Sequence, residues 1–404
     1  MSHVITRLGH LGDGVADGPI YAERTLPGEV VGGTVTDGRI DAPKILQPSS
    51  HRIRPLCPAY NRCGGCGLQH ADKDFVQSWK IDVVDQALAA QGVQINQLGF
   101  HTSHASTRRR AKLTGRRLKK SAVVGFLQRK SNAVTDINGC TVLVPEILGL
   151  IPMLETLTGK YGSRRGSLEF WILSTQTGID LAIDGLPPLD ADGLQQVSGM
   201  AADAGLARLT VGDETIFQAQ PPVLQFHKLP VTPPPRAFVQ ATKQGELAIQ
   251  ATVGAALRDA TGPIVDLFSG CGTIGGALAH AHSIHAVEGD DSLLSALQNA
   301  AHQTSGIKPI TTERRDLFRH PLDVGDLAPF AAAILDPPRA GALAQVQHVA
   351  NSHLGNVVMV SCNPVTFARD TAVLVAAGFE MVETTVIDQF RWSHHVEVMA
   401  HFTR

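Results

Sequence analysis

Long apolar runs are absent from this sequence: nothing in its 404 residues approaches the roughly 18 consecutive apolar positions of a membrane span. Its start, MSHVITRLGHLGDGVADG, has no apolar h-region, so no secretory signal is expected there and a cytoplasmic location is. Cysteine is scarce, six in all. Cytoplasmic thiols stay reduced, which argues against a disulfide framework and leaves metal binding or catalysis as their use. Long-period repeats and low-complexity tracts are missing too. With 43% apolar and only 18% charged residues, wholesale disorder is excluded.

Net charge is close to zero, 35 Lys and Arg against 37 Asp and Glu, but it is unevenly spread. Residues 101–130 hold ten Lys/Arg and no acid, leaving 25 Lys/Arg against 37 acids elsewhere. Such a block is a candidate polyanion contact on an otherwise acidic protein, and reads equally as a solvated basic face.

At roughly 150 residues per domain the length predicts two or three domains, each able to bury a core. Residues 1–52, short alternating runs broken by Gly and Asp turns, read as a small β-barrel or meander. A Cys/Gly knot follows, then an amphipathic helix from about Asp74 to Gln91, stopped by Gly92. Residues 93–230 mix short strands and turns without a definable topology. The segment PVTPPPRAFVQ, Pro230 to Gln240, reads as a hinge. Beyond it a helix from about Gly245 to Asp259 precedes strands PIVDLF, SIHAVEG, AAAILD, NVVMVSC, ETTVID and VEVMAHF. That alternation predicts an α/β domain with a doubly wound, mainly parallel sheet. The division expected is 1–52, 53–235 and 236–404.

Strand PIVDLF runs into Ser269-Gly270-Cys271-Gly272-Thr273-Ile274-Gly275-Gly276 and a helix, ALAHAH. Glycines at 270, 272 and 275 permit a tight turn and close backbone approach to a ligand at the sheet's carboxyl edge. The pattern alone also suits dinucleotides. Asp266, just ahead of the loop, would repel a pyrophosphate and attract an amino-acid ammonium. Glu288, ending the next strand, is placed for ribose hydroxyls, so S-adenosylmethionine fits better.

Asp336-Pro337-Pro338-Arg339 and Ser361-Cys362-Asn363-Pro364 also end predicted parallel strands, where this architecture puts its chemistry. A lone strand cysteine is usually an inert small hydrophobe. The Asn-Pro after Cys362 ends the strand and turns the thiol out at the sheet edge. A thiolate there suits methylation at carbon 5 of a uracil: its addition to C6 makes C5 nucleophilic enough to take a methyl group, and a base then removes the C5 proton. A lowered thiol pKa would raise the thiolate fraction. Asp336 and Arg339 are placed to steer the base edge and its developing enolate charge. Glu397, within the predicted strand HHVEVMAHF and facing away from Val396 and Val398, is the candidate base. Enzymes that methylate amino groups usually carry an aromatic after the two prolines; here it is Arg339.

Cys57, Cys63 and Cys66 are spaced C-x5-C-x2-C within CPAYNRCGGCGLQH, and Cys140 is the remaining thiol able to complete a set of four. By ligand count tetrahedral zinc and an iron–sulfur cluster fit equally, in a structural role.

Together CPAYNRCGGCGLQH, DLFSGCGTIG, LDPPRAG, VSCNP and the terminal HVE resemble the RNA uracil-5-methyltransferase family, specifically the iron–sulfur members that methylate 23S ribosomal RNA. The resemblance implies a class I (Rossmann-like) S-adenosylmethionine methyltransferase domain, an α+β central iron–sulfur domain, and a small N-terminal OB-like barrel, a shortened RNA-binding TRAM domain. It implies that Gln240, Phe268, Thr273, Glu288, Asp316 and Asp336 line the S-adenosylmethionine site. Cys362 would be the nucleophile and Glu397 the base. Cys57, Cys63, Cys66 and Cys140 would hold a 4Fe–4S cluster, with zinc as the lesser alternative. RNA is the implied partner, 23S rRNA ahead of tRNA, with the basic block on phosphates and the target base flipped out of its stack. No membrane partner is expected, and a monomer is. The chain departs from the family at Thr273 and Thr242, often Asn there, and at Arg391-Trp392-Ser393 in place of Pro-His-Thr. Those departures motivate one reading from another class, a non-catalytic RNA-binding or assembly factor.

Overall fold

The computed structural model describes residues 1–95 and 98–404. Its C-terminal layer is an eight-stranded sheet. In spatial order the strands are Ile310–Arg314, Ile284–Glu288, Ile264–Leu267, Ala332–Leu335, Asn356–Ser361, Val398–Thr403, Glu380–Asp388 and Leu98–Thr102. The first five are mutually parallel, and Val398–Thr403 runs antiparallel to both its neighbours. Central strands such as Ala332–Leu335 are buried throughout because helices cover both faces. Phe367 and Leu374 of helix Pro364–Ala376 and Val346 of Leu343–Asn351 pack into one apolar layer. Ile249 and Val253 of Lys243–Ala256 pack into another.

The α/β pattern expected from the sequence is therefore present, with three local differences. Strand Ile310–Arg314 was not foreseen, being short and half polar at the sheet edge. The helix expected over ALAHAH is confined to Gly275–Leu278, because the chain must turn at once to re-enter the sheet at Ile284. Glu397 stands one residue ahead of its strand, in a loop that arches over the carboxyl edge, and its carbonyl accepts from the Ile387 N–H at 2.8 Å.

Two segments cross the expected boundaries. Leu98–Thr102, assigned by sequence to the central unit, pairs parallel with Glu380–Asp388 as the outer strand of the C-terminal sheet. Helix Lys73–Ala89, capped by the Asp72 carboxylate accepting from the Phe75 N–H, buries Val84 and Leu88 in the same core as Phe367 and Phe379. Nor is Pro230–Gln240 a free hinge. Val231 and Val239 are buried, and Arg208 donates to the Pro233 carbonyl at 2.8 Å, so apolar residues flanking the prolines hold the segment down.

The central region folds around a seven-stranded sheet in the order Val134–Asp136, Ala122–Leu127, Arg110–Arg117, Leu168–Thr175, Gly178–Asp184, Leu206–Val211, Glu214–Gln218. Near the N-terminus six short strands between Ser2 and Gln47 form a mixed sheet over Ile5, Ala22, Val31 and Ile40. Ser2–Leu8 pairs with one neighbour through its first half and another through its second, so the sheet bends along it. Among the described residues no helix is long and apolar enough to cross a membrane.

Candidate active site

Asp266 is the penultimate residue of strand Ile264–Leu267, directly beneath the glycine loop. Phe268, Gly270 and Gly272 all adopt positive φ, +62°, +55° and +84°, folding the chain back over the strand end. Asp266 accepts the Gly275 N–H at 3.0 Å, and a Cβ on Gly275 would overlap that carboxylate, so only glycine fits. Burial pushes the Asp266 carboxyl up to about 7, and its second oxygen has no partner among the described residues. Glu288 accepts from the backbone N–H groups of Gly270 (3.0 Å), Gly289 (2.7 Å) and Asp290 (3.1 Å). The rings of Phe268 and Phe318 stand 5.4 Å apart, and Asp316 accepts from the Phe318 N–H at 3.0 Å. Thr273 is buried, its carbonyl accepting from Gln250 at 2.7 Å.

The chemistry-bearing groups face this cradle. Gln240 Nε2 lies 3.4 Å from Asp336 Oδ2, and Gln240 Oε1 accepts from Gln389 Nε2 at 2.5 Å. The same Gln389 nitrogen donates to Glu397, while Gln389 Oε1 accepts from the Ala241 N–H at 2.7 Å. Burial raises Glu397 to about 7 against the opposing hydrogen bond from Gln389 and the charge of Arg110. Asp336 is driven well above the usual carboxylate range by burial, then by Glu397 and Asp266. Asn363 joins the two strand-end motifs: its amide donates to the Arg339 carbonyl at 2.9 Å while its oxygen caps helix Pro364–Ala376. The Cys362 thiol is raised rather than lowered. Burial raises it, Glu397 and Asp336 add to the rise, and Arg339 opposes them.

Cys362, Glu397, Gln240, Phe268, Thr273, Glu288, Asp316 and Asp336 all line one cavity of about 690 Å³. Cys362, Arg339 and His395 also line a second groove of about 850 Å³ between the N-terminal sheet (Arg7, His10) and helix Lys73–Ala89 (Phe75, Trp79), so the thiol is bordered by open space on two sides. Sequence reasoning missed Gln389, although it follows the carboxyl end of a foreseen strand, where the edge rule already pointed. It also missed Phe318, for which no signal exists, and Lys80. Fully buried, Lys80 donates to Asp388 Oδ1 at 2.6 Å and to the carbonyls of Phe390 (3.3 Å) and His395 (3.0 Å). The N–H groups of Gly67 and Leu68 hold the Trp392 carbonyl at 2.8 and 2.9 Å. The loop leading to Glu397 is thus clamped from the cysteine segment and from the helix after it.

Cys57, Cys63, Cys66 and Cys140 line one small cavity with Tyr60, Phe126 and Arg108. The Gly65 N–H points to Cys63 Sγ at 3.3 Å, and burial pushes Cys66 up to about 12. No three His, Cys, Asp or Glu side chains among the described residues converge on a single-ion position. The basic block proves to be divided. Arg109 forms a buried pair with Glu246, Arg110 lies over the Phe238 ring at 4.1 Å, and Lys112, Arg129 and Lys130 pair with Glu169, Asp13 and Glu23. Arg116, Arg117, Lys119 and Lys120 remain on the outer hairpin.

A parallel sheet with an antiparallel strand inserted near one edge, and a glycine loop and acidic groups at its carboxyl ends, defines a class I S-adenosylmethionine-dependent methyltransferase. A family model described as tRNA (Uracil-5-)-methyltransferase matches residues 255–404. An RNA methyltransferase of Rhizobium meliloti is 37% identical over 98% of this chain and 97% of its own. One from Caulobacter vibrioides is 36% identical over 99% of both chains. The 23S rRNA (uracil(1939)-C(5))-methyltransferase RlmD of Alteromonas naphthalenivorans is 28% identical over 97% of this chain and 87% of its own. The solved tRNA (uracil-54, C5)-methyltransferase of Pyrococcus abyssi, in complex with S-adenosyl-L-homocysteine, shares the fold with a TM-score of 0.78 at 19% identity, covering 100% of this chain and 99% of that one. The chain belongs to the S-adenosylmethionine-dependent RNA (uracil-5-)-methyltransferase family.

Proposed function

We propose that this protein forms 5-methyluridine in 23S rRNA through a transient bond between Cys362 and uracil C6. The observation that carries the proposal is that Cys362, Glu397 and Asp336 line one cavity together with the glycine loop, while Cys362 also opens on the second groove. A flipped uracil entering from the groove meets the thiol with the cofactor loop beyond it. S-adenosylmethionine, once bound, supplies a methyl group on a sulfonium sulfur. Asp266, with one carboxylate oxygen unpartnered, suits its ammonium, and Glu288 suits its ribose hydroxyls.

Cys362 gives its proton to water in the open groove that it lines, and its sulfur adds to C6, placing an electron pair on the C5–C4–O4 enolate. Arg339 lies beside the thiol and offers the positive charge that favours thiolate and enolate alike. After C5 has taken the methyl group, Glu397 removes the C5 proton and the C6–S bond breaks, restoring the double bond and the free thiolate. With a carboxyl near 7, Glu397 is poised to accept that proton at neutral pH.

The four cysteines are read as ligands of a structural 4Fe–4S cluster. Their donor set is all thiol, a backbone N–H points to one sulfur, and they line a common cavity. A brown purified protein containing about four irons per chain is the expected result, and stoichiometric zinc overturns this part.

For the reaction, Cys362→Ala is expected to abolish methylation while cofactor binding survives, and Glu397→Gln to accumulate a covalent protein–RNA adduct. Normal methylation by Cys362→Ala overturns the mechanism. The family description favours tRNA as the second reading. Mapping 5-methyluridine in rRNA and tRNA with and without the protein separates the two and dismisses a non-catalytic role.

A further inference from the structure

Six cations gather where the central sheet ends. Strand Arg110–Arg117 pairs with Ala122–Leu127 through Arg116 opposite Val123 and Arg117 opposite Ala122, and the turn closes with the Leu118 N–H on the Ser121 carbonyl at 2.8 Å. This places Arg116, Arg117, Lys119 and Lys120 at one hairpin tip. Arg117 also donates to the Gly162 carbonyl at 3.3 Å, bringing up the loop that carries Arg164 and Arg165. The tip is unlike the rest of the block. Arg109, Lys112, Arg129 and Lys130 spend their charge on carboxylates, and Arg108 and Arg110 lie over the rings of Phe126, Phe390 and Phe238, whereas none of the six forms an ion pair or stacks on an aromatic ring among the described residues. Residues 101–135 contain no acid, nor do 156–168. With these six set aside, 29 Lys and Arg face 37 acids, so a cationic tip stands on an acidic molecule. Like charges gathered without counter-charges repel one another, and a polyanion relieves that repulsion.

The strand carrying this tip begins at the catalytic cavity: Arg110 stacks on Phe238, which lines it. Seven steps at about 3.3 Å put Arg117 roughly 23 Å from Arg110.

We infer that the β hairpin tip with the loop at 163–165 is a remote anchor for the phosphate backbone of the substrate RNA, gripping it some two dozen ångströms from the methylated uridine. The inference rests on RNA being the substrate and adds to it that the RNA must extend well past its target base. The strand is the spacer between anchor and reacting thiol.

The test compares the protein with a variant carrying Arg116→Gln, Arg117→Gln, Lys119→Gln and Lys120→Gln. Each is titrated with a long structured rRNA fragment and with a short oligonucleotide centred on the target uridine, across a range of salt. On the long RNA the variant is expected to bind on the order of tenfold more weakly at low salt, its slope of log K against log[salt] shallower by about 0.7–0.9 per lost phosphate contact. The short RNA, which cannot reach the tip, is expected to bind both proteins alike. Replacing the two arginines by lysine is expected to keep the slope, and neutralising Lys228, Arg258 and Lys308, exposed outside the basic block, to leave it unchanged. An unaltered slope on the long RNA overturns the anchor, as does an equal loss on the short one. Absence of 5-methyluridine with the unmodified protein overturns the reading of the reaction instead, and leaves the binding slopes to judge the anchor.

Discussion

The side-chain amide nitrogen of Gln389 donates to the Glu397 carboxylate and also to the Gln240 carbonyl oxygen, joining the proposed base to a wall of the cofactor cavity. The Asp336 carboxylate lies at the other end of the chain, within reach of Gln240. Glu397, Gln240 and Asp336 therefore share one hydrogen-bonded row, oriented by the Ala241 N–H on the Gln389 oxygen.

Gln389→Leu removes the bond that favours ionised Glu397. A hydrogen bond to a charged group is worth roughly 1.5–3 kcal/mol, so kcat at neutral pH is expected to fall by roughly tenfold to a hundredfold. The acidic limb of the pH–rate profile, set by a carboxyl near 7, moves to higher pH. A profile that keeps its shape and position counts against this role.

The buried carboxyls also set how stability responds to pH. Asp266 and Glu397 titrate near 7 in the folded protein, raised by burial from ordinary values near 4, and Asp336 is raised in the same direction. Between those limits the native state holds protons that the unfolded chain releases, so stability falls as pH rises from about 4 to about 7. Glu397→Gln cancels its own share. Its melting temperature is expected to exceed the parent's at pH 8, on the order of a few degrees, with the difference shrinking towards pH 4. Equal melting temperatures at both pH values would refute this.

Lys80 and Asp388 form a buried ion pair at 2.6 Å. Lys80→Met leaves Asp388 buried without its counter-charge and is expected to cost about 3–5 kcal/mol. Adding Asp388→Leu removes the stranded charge, so the double variant recovers stability. Methylation stays impaired, because the Phe390 and His395 carbonyls still lack their donor and the loop before Glu397 keeps only its hold from Gly67 and Leu68. Denaturant titration with single-turnover assays reads both effects, and full recovery of rate in the double variant contradicts the clamp.

Gly275→Ala places a methyl group against the Asp266 carboxylate. Overpacking of this kind costs roughly 1–3 kcal/mol. Calorimetric titration with S-adenosylhomocysteine is expected to show that loss, with RNA affinity preserved. Unchanged affinity for the nucleoside means that the loop relaxes around the methyl.

By itself the sequence determined the alternation of strands and helices in the C-terminal half and the placement of the motifs at strand ends. Both are local consequences: apolar runs of strand length, glycines and prolines that stop them, and the rule that parallel strands put every carboxyl end on one edge. Asp266, Glu288, Asp336 and Cys362 could be gathered on paper because each lies at or next to the carboxyl end of such a strand. The remainder was decided by contacts between distant residues. Nothing local tells Leu98–Thr102 to complete a sheet whose neighbouring strand begins at Glu380, or Lys80 to enter the core beside Asp388. Only tertiary packing could set the thiol's pKa, which rises because Cys362 is partly buried beside two carboxylates, an environment assembled from three separate strand ends.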